Sequence, residues 1–297
     1  MTTVAFFGLG HMGGPMAANL VKAGHTVLGY DPDAANAATA AETGVSIGLA
    51  PEQLAGQADV VVTMLPAGRF VLDVYARLLP HARPGTLFVD SSTISVEDSR
   101  SAHALAEAAG HRALDAPVSG GVGGAAAGTL TFMVGGAQAD VAAARELLDA
   151  MGAKVVHCGG AGLGQAAKVC NNMILAVSMI AVSEAFVLGE ALGLEHDALY
   201  EVASTSSGQC WALTTNCPVP GPVPASPANR DYAPGFAGAL MAKDLGLAAT
   251  AIASTGVAAE LGSAAEAIYR RFAEGEGGGK DFSAIIDDIR AQGAKVA

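Results

Sequence analysis

The sequence predicts an α/β fold in which a doubly wound sheet is followed by an all-α C-terminal domain. Strand-like and helix-like stretches alternate from residue 3 to about residue 158, and a glycine-rich turn follows the first strand. From Gly164 onward the chain shows only helical spacing of Ala, Leu and Met. We therefore expect two domains, at residues 1–162 and 163–297, and the chain is long enough for each to have a core.

The first predicted unit is a strand, a glycine-rich turn and a helix. The apolar run at residues 4–7 is typical of a buried parallel strand, and residues 15–22 favour a helix. Gly8 suits the tight turn, Gly10 lets the backbone approach a pyrophosphate, and Gly13 allows close packing of helix on strand. The turn that we expect to bind a dinucleotide comprises Gly8, Leu9, Gly10, His11, Met12 and Gly13.

The second predicted strand, at residues 26–30, leads into Asp31. This acid lies 18 residues past Gly13, about where a carboxylate that binds ribose hydroxyls belongs in a Rossmann domain. The alternative is that Asp31 is only a turn residue in an Asp-Pro-Asp sequence. A carboxylate at this point repels a 2′-phosphate, so the pattern predicts an N-terminal Rossmann domain that binds NAD rather than NADP.

Further strand-like runs extend the predicted sheet. They cover residues 45–47, 59–65, 86–90, 112–116, 129–134 and 154–157, with a helix at residues 139–151. The later strands form a pair around a glycine-rich stretch, so we expect the sheet to finish with antiparallel members.

That stretch, residues 115–130, reads DAPVSGGVGGAAAGTL. It holds seven mostly small residues from Ser119 to Ala125, which a hydrophobic core does not need. Bare backbone N–H groups in a glycine-rich turn can approach a small anion without a Cβ in the way. We therefore expect a turn that binds an anionic group; the alternative is a flexible loop.

The C-terminal half is predicted to be helical throughout. The helices cover residues 165–193, 196–205, 237–255, 259–274 and 282–292. Residues 217–233 contain five prolines, so they favour an ordered or mobile loop of the kind that often covers a site. The apolar stretch at residues 173–188 is interrupted too often for a membrane span, and it favours a buried helix or a subunit interface. We expect a homodimer or homotetramer assembled through these helices.

Composition narrows the classes of partner and location. The formal net charge of −12 argues against nucleic acid and against an anionic membrane surface. The four cysteines show no metal-ligand spacing, so we expect free thiols, no metal site and a cytoplasmic protein. A strand that begins by residue 3 leaves no room for an N-terminal signal peptide, which agrees with that expectation.

Lys168 is the strongest candidate for catalysis. On a helix it lies on the same face as Asn172, four residues later, within an apolar run. A lysine can accept a hydroxyl proton if burial or neighbours lower its pKa towards neutrality. The alternative is a surface lysine whose charged end reaches solvent from an apolar helix.

Three other short motifs are candidates. Leu65-Pro66 and Ser91-Ser92-Thr93 follow predicted strands, where open α/β sheets bind their ligands, although each pattern also suits an ordinary turn. Lys243 and Asp244 adjoin one another in a later helix, where a solvated ion pair is the alternative.

In combination, these motifs resemble the β-hydroxyacid dehydrogenases, and most closely their 3-hydroxyisobutyrate branch. The resemblance covers nearly the whole chain and is carried by GLGHMGGPMAANL, MLPAG, SST, DAPVSGGVGGAAAGTL, GQAAKVCNN, SSGQCW and GFAGALMAKDLGLA. It implies NAD-dependent oxidation of 3-hydroxyisobutyrate to methylmalonate semialdehyde, a step of valine catabolism. Reduction of tartronate semialdehyde or another short semialdehyde is the enzymatic alternative, and a non-catalytic cofactor-binding protein is the alternative from another class.

The resemblance also assigns roles by position. It implies that Lys168 is the catalytic acid or base and that Asn172 orients the substrate. The implied carboxylate site is Ser119, Gly120 and Gly121, and the implied apolar wall is Trp211 and Phe236. The implied cofactor contacts beyond the fingerprint and Asp31 are Leu65, Pro66, Phe70, Thr93 and Lys243.

Overall fold

The computed structural model describes residues 1–293. The chain forms two compact units, of which the first is Met1–Lys168 and the second begins at Val169.

The first unit contains a mixed eight-stranded sheet. Its strands are β1 Thr3–Phe7, β2 Thr26–Tyr30, β3 Val60–Thr63, β4 Leu87–Asp90, β5 Arg112–Asp115, β6 Val118–Ser119, β7 Leu130–Gly136 and β8 Gly152–Gly159. The order is β2-β1-β3-β4-β5-β7-β6, and β8 pairs with β7. The first five strands pair in parallel, whereas β7 runs antiparallel to both β5 and β6, so the expected antiparallel finish is confirmed.

Helices cover both faces of this sheet, because its strands are apolar on both sides. Along β1, Val4 and Phe6 are buried in one hydrophobic cluster, and Ala5 and Phe7 are buried in another. This burial on both faces is what the near-continuous apolar runs predict. The helices between the strands are α1 Gly13–Lys22, α2 Ala34–Glu42, α3 Pro51–Gln57, α4 Gly68–Leu78, α5 Val96–Ala108, α6 Gly121–Ala127 and α7 Gln138–Met151.

Two predictions for the first unit were wrong. Residues 45–47 form no strand; they contribute a single parallel bridge from Ser46 to Leu28. The glycine-rich stretch is not a simple turn, since it contains the short strand β6 and the helix α6. Ala125 of α6 is fully buried, so this segment does contribute to the core. The small residues of α6 allow Ala125 to pack into the core, and the high glycine content of the stretch gave no indication of a helix.

The second unit is helical in its described residues, apart from one isolated bridge. Its helices are α8 Leu163–Ala191, which starts in the first unit, then α9 His196–Thr205, α10 Trp211–Thr214, α11 Gly238–Thr255, α12 Glu260–Glu274 and α13 Ile285–Gly293. Met179, Phe186, Leu245, Tyr269 and Phe282 are among the residues that form its core. The proline-rich segment is ordered against this core, since Cys217 and Val219 are fully buried.

Among the described residues, α8 is the one helix long and apolar enough to cross a membrane by length and composition. Of its most apolar stretch, 44% is buried inside the protein. Along the helix as a whole, the buried polar residues include Gln165, Lys168 and Asn172. A long core helix has the same composition, and α8 supplies Ala176, Met179 and Phe186 to the core.

Candidate functional site

The turn between β1 and α1 has the geometry of a dinucleotide-binding loop. Gly8 adopts a φ of 92°, and a Cβ there would collide with the backbone oxygen of Met64. A Cβ on Gly13 would collide with the backbone oxygen of Gly8. Within residues 1–293, a Cβ on Gly10 would meet only Asn36, at 3.8 Å, so a ligand has space to approach the backbone there. The three glycines thus have the separate structural roles expected of them.

Asp31 joins the end of β2 to this turn. Its carboxylate accepts hydrogen bonds from the backbone N–H groups of Leu9, at 2.7 Å, and Asp33, at 2.8 Å. A carboxylate has about four lone-pair positions, so Asp31 can still accept from ribose hydroxyls. No side chain in residues 1–293 caps the start of α1, which leaves its N-terminal N–H groups for a phosphate. These residues fit the adenosine and pyrophosphate parts of NAD.

The ends of β3 and β4 lie at the same edge of the sheet as this turn, because β1, β3 and β4 are parallel neighbours. The backbone N–H of Leu65 donates to the Ser92 hydroxyl at 2.8 Å. This bond ties the segment after β3 to the segment that contains Thr93. The structure therefore brings two of the predicted cofactor-binding segments together.

Asp90 is a buried residue at this edge that the sequence did not single out. Its carboxylate accepts from the Thr63 hydroxyl at 2.7 Å and from the Ser92 backbone N–H at 3.1 Å. Burial raises the pKa of Asp90 to about 6, although the hydrogen bonds from Ser92 and Thr63 act in the opposite direction. A polar residue at the end of an apolar strand is the signal that could have identified it.

Pro66 and Phe70 follow β3 on the surface of the first unit. Pro66 is exposed, and Phe70 lies on α4 with 37% of its surface exposed. The guanidinium carbon of Arg69 lies 4.4 Å from the centroid of the Phe70 ring. An exposed aromatic ring of this kind is available to stack on a planar ligand.

The predicted carboxylate site lies between β6 and α6. Ser119 ends β6, and Gly120 and Gly121 adopt φ values of 135° and 62°. The side chain of Asn19, on α1, donates to the backbone oxygen of Ala125 at 2.7 Å. This bond links α6 to the helix whose N-terminus belongs to the dinucleotide-binding turn. The link depends on tertiary packing and has no local sequence signal.

Lys168 is on α8 at the end of the first unit and is only 7% exposed. One turn later on the same helix, Asn172 is buried in the second unit. The Asn172 amide nitrogen donates to the Asp244 carboxylate at 2.6 Å, and Asp244 is also buried. A solvated Lys243–Asp244 ion pair is therefore the wrong interpretation of Asp244. A surface lysine is also the wrong interpretation of Lys168.

The other predicted residues of the second unit differ in environment. Trp211 begins α10 and is 52% exposed. Phe236 is half-buried, with its ring 5.7 Å from that of Phe282 in an edge-to-face contact. Lys243 is half-buried on α11.

Comparison with known families gives matches over almost the whole chain. Residues 3–160 match the family model described as the NAD-binding domain of 6-phosphogluconate dehydrogenase. Residues 162–289 match the model described as NAD-binding of NADP-dependent 3-hydroxyisobutyrate dehydrogenase.

Individual relatives agree with these matches. A probable 3-hydroxyisobutyrate dehydrogenase of Mycobacterium tuberculosis is 58% identical over 98% of this chain and 99% of its own. The mouse mitochondrial 3-hydroxyisobutyrate dehydrogenase is 44% identical over 98% of this chain and 88% of its own. A structure of the M. tuberculosis 3-hydroxyisobutyrate dehydrogenase with L-serine superposes with a TM-score of 0.95, at 57% identity, and covers 98% of this chain and 99% of that one.

Proposed function

This chain belongs to the 3-hydroxyisobutyrate dehydrogenase family, and we propose that it oxidises 3-hydroxyisobutyrate to methylmalonate semialdehyde in valine catabolism. It is an oxidoreductase with NAD-binding domains, and NAD is its cofactor. The observation that carries the proposed roles is a buried lysine, Lys168, one helical turn before a buried, hydrogen-bonded Asn172.

Lys168 is assigned the proton transfer. Its amine takes the proton from the 3-hydroxyl as the carbonyl forms, and returns it in the reverse reaction. Burial of Lys168 keeps bulk water from competing for that proton. Asn172 donates a hydrogen bond from its amide to the substrate and so orients the reacting carbon.

NAD supplies the hydride acceptor when it is bound. Asp31 is assigned to the ribose hydroxyls of the adenosine, and this role favours NAD over NADP because a carboxylate repels a 2′-phosphate. The pyrophosphate is assigned to the turn Gly8, Leu9, Gly10, His11, Met12 and Gly13 and the N-terminus of α1. The further cofactor contacts are assigned to Leu65, Pro66, Phe70, Thr93 and Lys243.

The substrate carboxylate is assigned to the backbone N–H groups of Ser119, Gly120 and Gly121. The positive φ values of the two glycines support this role, because no Cβ shields those N–H groups. Trp211 and Phe236 are assigned to the apolar wall that faces the C2 methyl group of the substrate. The exposure of Trp211 supports that role, because covering a large apolar side chain with a ligand removes it from water and lowers the free energy.

We also propose a domain boundary, a location and an oligomeric state for this protein. The functional division of the chain falls between residues 162 and 163, close to the junction of the two family matches. The protein acts in the cytoplasm, as the similarity to bacterial relatives supports. It assembles as a homodimer or homotetramer through its C-terminal helices, which expose several large apolar side chains.

A substrate panel with NAD and with NADP tests the proposal. The absorbance at 340 nm reports oxidation of 3-hydroxyisobutyrate, 3-hydroxypropionate and L-serine, and reduction of tartronate semialdehyde. We expect the highest kcat/KM with 3-hydroxyisobutyrate and NAD. A higher value with tartronate semialdehyde would support the reductase instead, and no turnover with any compound would support a non-catalytic cofactor-binding protein.

A further inference from the structure

The first turn of α8, the helix that carries Lys168, has no capping side chain of its own. The residue before the helix is Gly162, whose carbonyl accepts the backbone N–H of Ala166 at 3.0 Å. A Ser, Thr, Asp or Asn at this position can accept an N–H group of the first turn with its side chain. Glycine has no such group, so the buried start of α8 needs a partner from elsewhere.

Asp115 at the end of β5 supplies that partner. One carboxylate oxygen accepts from the Gly162 N–H at 2.8 Å, and the other accepts from the Gln165 N–H at 2.9 Å. His103 Nε2 lies 2.9 Å from the first oxygen. Asp115 is 1% exposed, so water does not compete for these bonds. The carboxylate thus caps α8 from a strand 47 residues away in the chain.

Two glycines make this close approach possible. A Cβ on Gly135 or on Gly164 would come within 3 Å of an Asp115 carboxylate oxygen. Any other residue at either position would push α8 away from β5. The position of the helix start is therefore set by the sheet.

Gln165 continues the connection from α8 to the cofactor edge. Its side chain is fully buried, and its Nε2 donates to the Ser92 carbonyl at 2.7 Å. Its Oε1 accepts from the Ile94 backbone N–H at 3.2 Å. These two bonds lie on either side of Thr93, and Lys168 follows Gln165 by one helical turn.

We infer that Asp115 and Gln165 are positioning residues that hold the Lys168 turn of α8 in fixed register with the Thr93 segment. The inference rests on the proposed function in one respect, namely that Lys168 transfers the proton. Neither residue is assigned a contact with substrate or cofactor. Their effect follows from geometry, because a misplacement of about 1 Å at a reacting group can cost about 10²-fold in rate.

Gln165→Leu tests the inference, since it keeps a similar volume and removes both side-chain hydrogen bonds. We expect kcat with 3-hydroxyisobutyrate to fall by about 10- to 100-fold while KM changes by less than about threefold, as for a loss confined to the reacting geometry. Amide hydrogen exchange should become faster in peptides covering residues 92–95 and 162–168. Gln138→Leu, the same change at an exposed helix start, is the control and should alter none of these values.

Asp115→Asn provides the second variant, because an amide cannot accept both backbone N–H groups. We expect faster exchange at residues 162–168 and a lower kcat. If Asp115→Asn does not fold, the result for Gln165→Leu tests the inference by itself. A folded Gln165→Leu protein with kcat within twofold of the wild type would overturn the inference. If the wild type oxidises no 3-hydroxy acid, the proposed function fails, and amide hydrogen exchange of Gln165→Leu then tests the positioning role without kinetics. Faster exchange in both peptides would support that role, and unchanged exchange would overturn it.

Discussion

Asn172 and Asp244 form a buried hydrogen bond of 2.6 Å that joins α8 to α11 within the helical unit. A carboxylate only accepts hydrogen bonds, so the amide nitrogen of Asn172 must be the atom that faces Asp244. Asn171 donates to the amide oxygen at 2.9 Å, which agrees with this orientation. The pair therefore fixes the orientation of the Asn172 amide, whose nitrogen carries a second N–H that can donate to a substrate.

Asp244→Asn should weaken the hydrogen bond that orients the Asn172 amide, while the size of the side chain is preserved. A hydrogen bond to a charged group contributes about 1.5–3 kcal/mol, so we expect kcat/KM to fall by roughly 10- to 100-fold. Steady-state kinetics at saturating NAD measure the effect. Asp197→Asn, at an exposed position on α9, is the matched control. Unchanged kinetics in Asp244→Asn would show that Asn172 needs no such support.

Asp31→Ser should narrow the preference for NAD over NADP. The wild type should use NADP less efficiently than NAD, because NADP loses the ribose hydrogen bonds and its 2′-phosphate is repelled by Asp31. The expected cost is roughly 2–4 kcal/mol, or about 30- to 1,000-fold in kcat/KM. Asp33→Ser is the control, because this nearby exposed acid caps α2 and a serine can replace it. Equal efficiency of the wild type with both cofactors would contradict the assignment of Asp31.

Asp90→Asn should change how stability depends on pH. The folded-state pKa of Asp90 is about 6, above the ordinary value of 3.8, because burial disfavours the charged carboxylate. The folded state thus binds more protons than the unfolded state between about pH 4 and 6, and this group makes stability fall as pH rises through that window. The full effect is on the order of 2–3 kcal/mol.

Urea unfolding from pH 4 to 7.5 measures this effect. We expect the difference in unfolding free energy between Asp90→Asn and the wild type to shift in favour of the variant as pH rises through the window. The amide can still accept from Thr63 and Ser92, so those hydrogen bonds are kept. A difference that does not vary with pH would show that Asp90 does not titrate in this range.

The exposed apolar face of α8 should be covered by a second copy of the chain. Ile174 and Leu188 on this helix are 64% and 61% exposed, which is costly for large apolar side chains in water. Light scattering coupled to size exclusion should give a mass of two or four times 29.4 kDa. Leu188→Glu should reduce that mass, whereas Leu105→Glu, at an exposed position on α5, should not. An active monomer of the wild type would contradict the expected oligomer.

Local patterns were sufficient to predict much of this fold. Apolar strands, the fingerprint glycines and the spacing of Lys168 and Asn172 are short-range features, and each leaves a signal within one element. The parallel sheet, the all-helical region and the buried face of α8 were predicted for that reason.

Features that depend on distant partners were not predicted. The burial of Ala125 on α6 depends on packing against α1, and the role of Asp244 depends on Asn172, 72 residues earlier. The cap that Asp115 gives to α8 needs β5 and α8 to be adjacent, which no local pattern encodes. The same is true of Asp90, whose raised pKa arises from burial.

The most direct test of the proposed mechanism is the turnover of Lys168→Ala with 3-hydroxyisobutyrate and NAD, followed at 340 nm. A general acid or base contributes about 10²- to 10⁴-fold, so we expect kcat to fall by at least about 10²-fold while NAD binding stays near the wild-type value. Lys154→Ala, an exposed lysine on β8, should retain full activity. Near-normal turnover of Lys168→Ala at neutral pH would remove Lys168 from the mechanism.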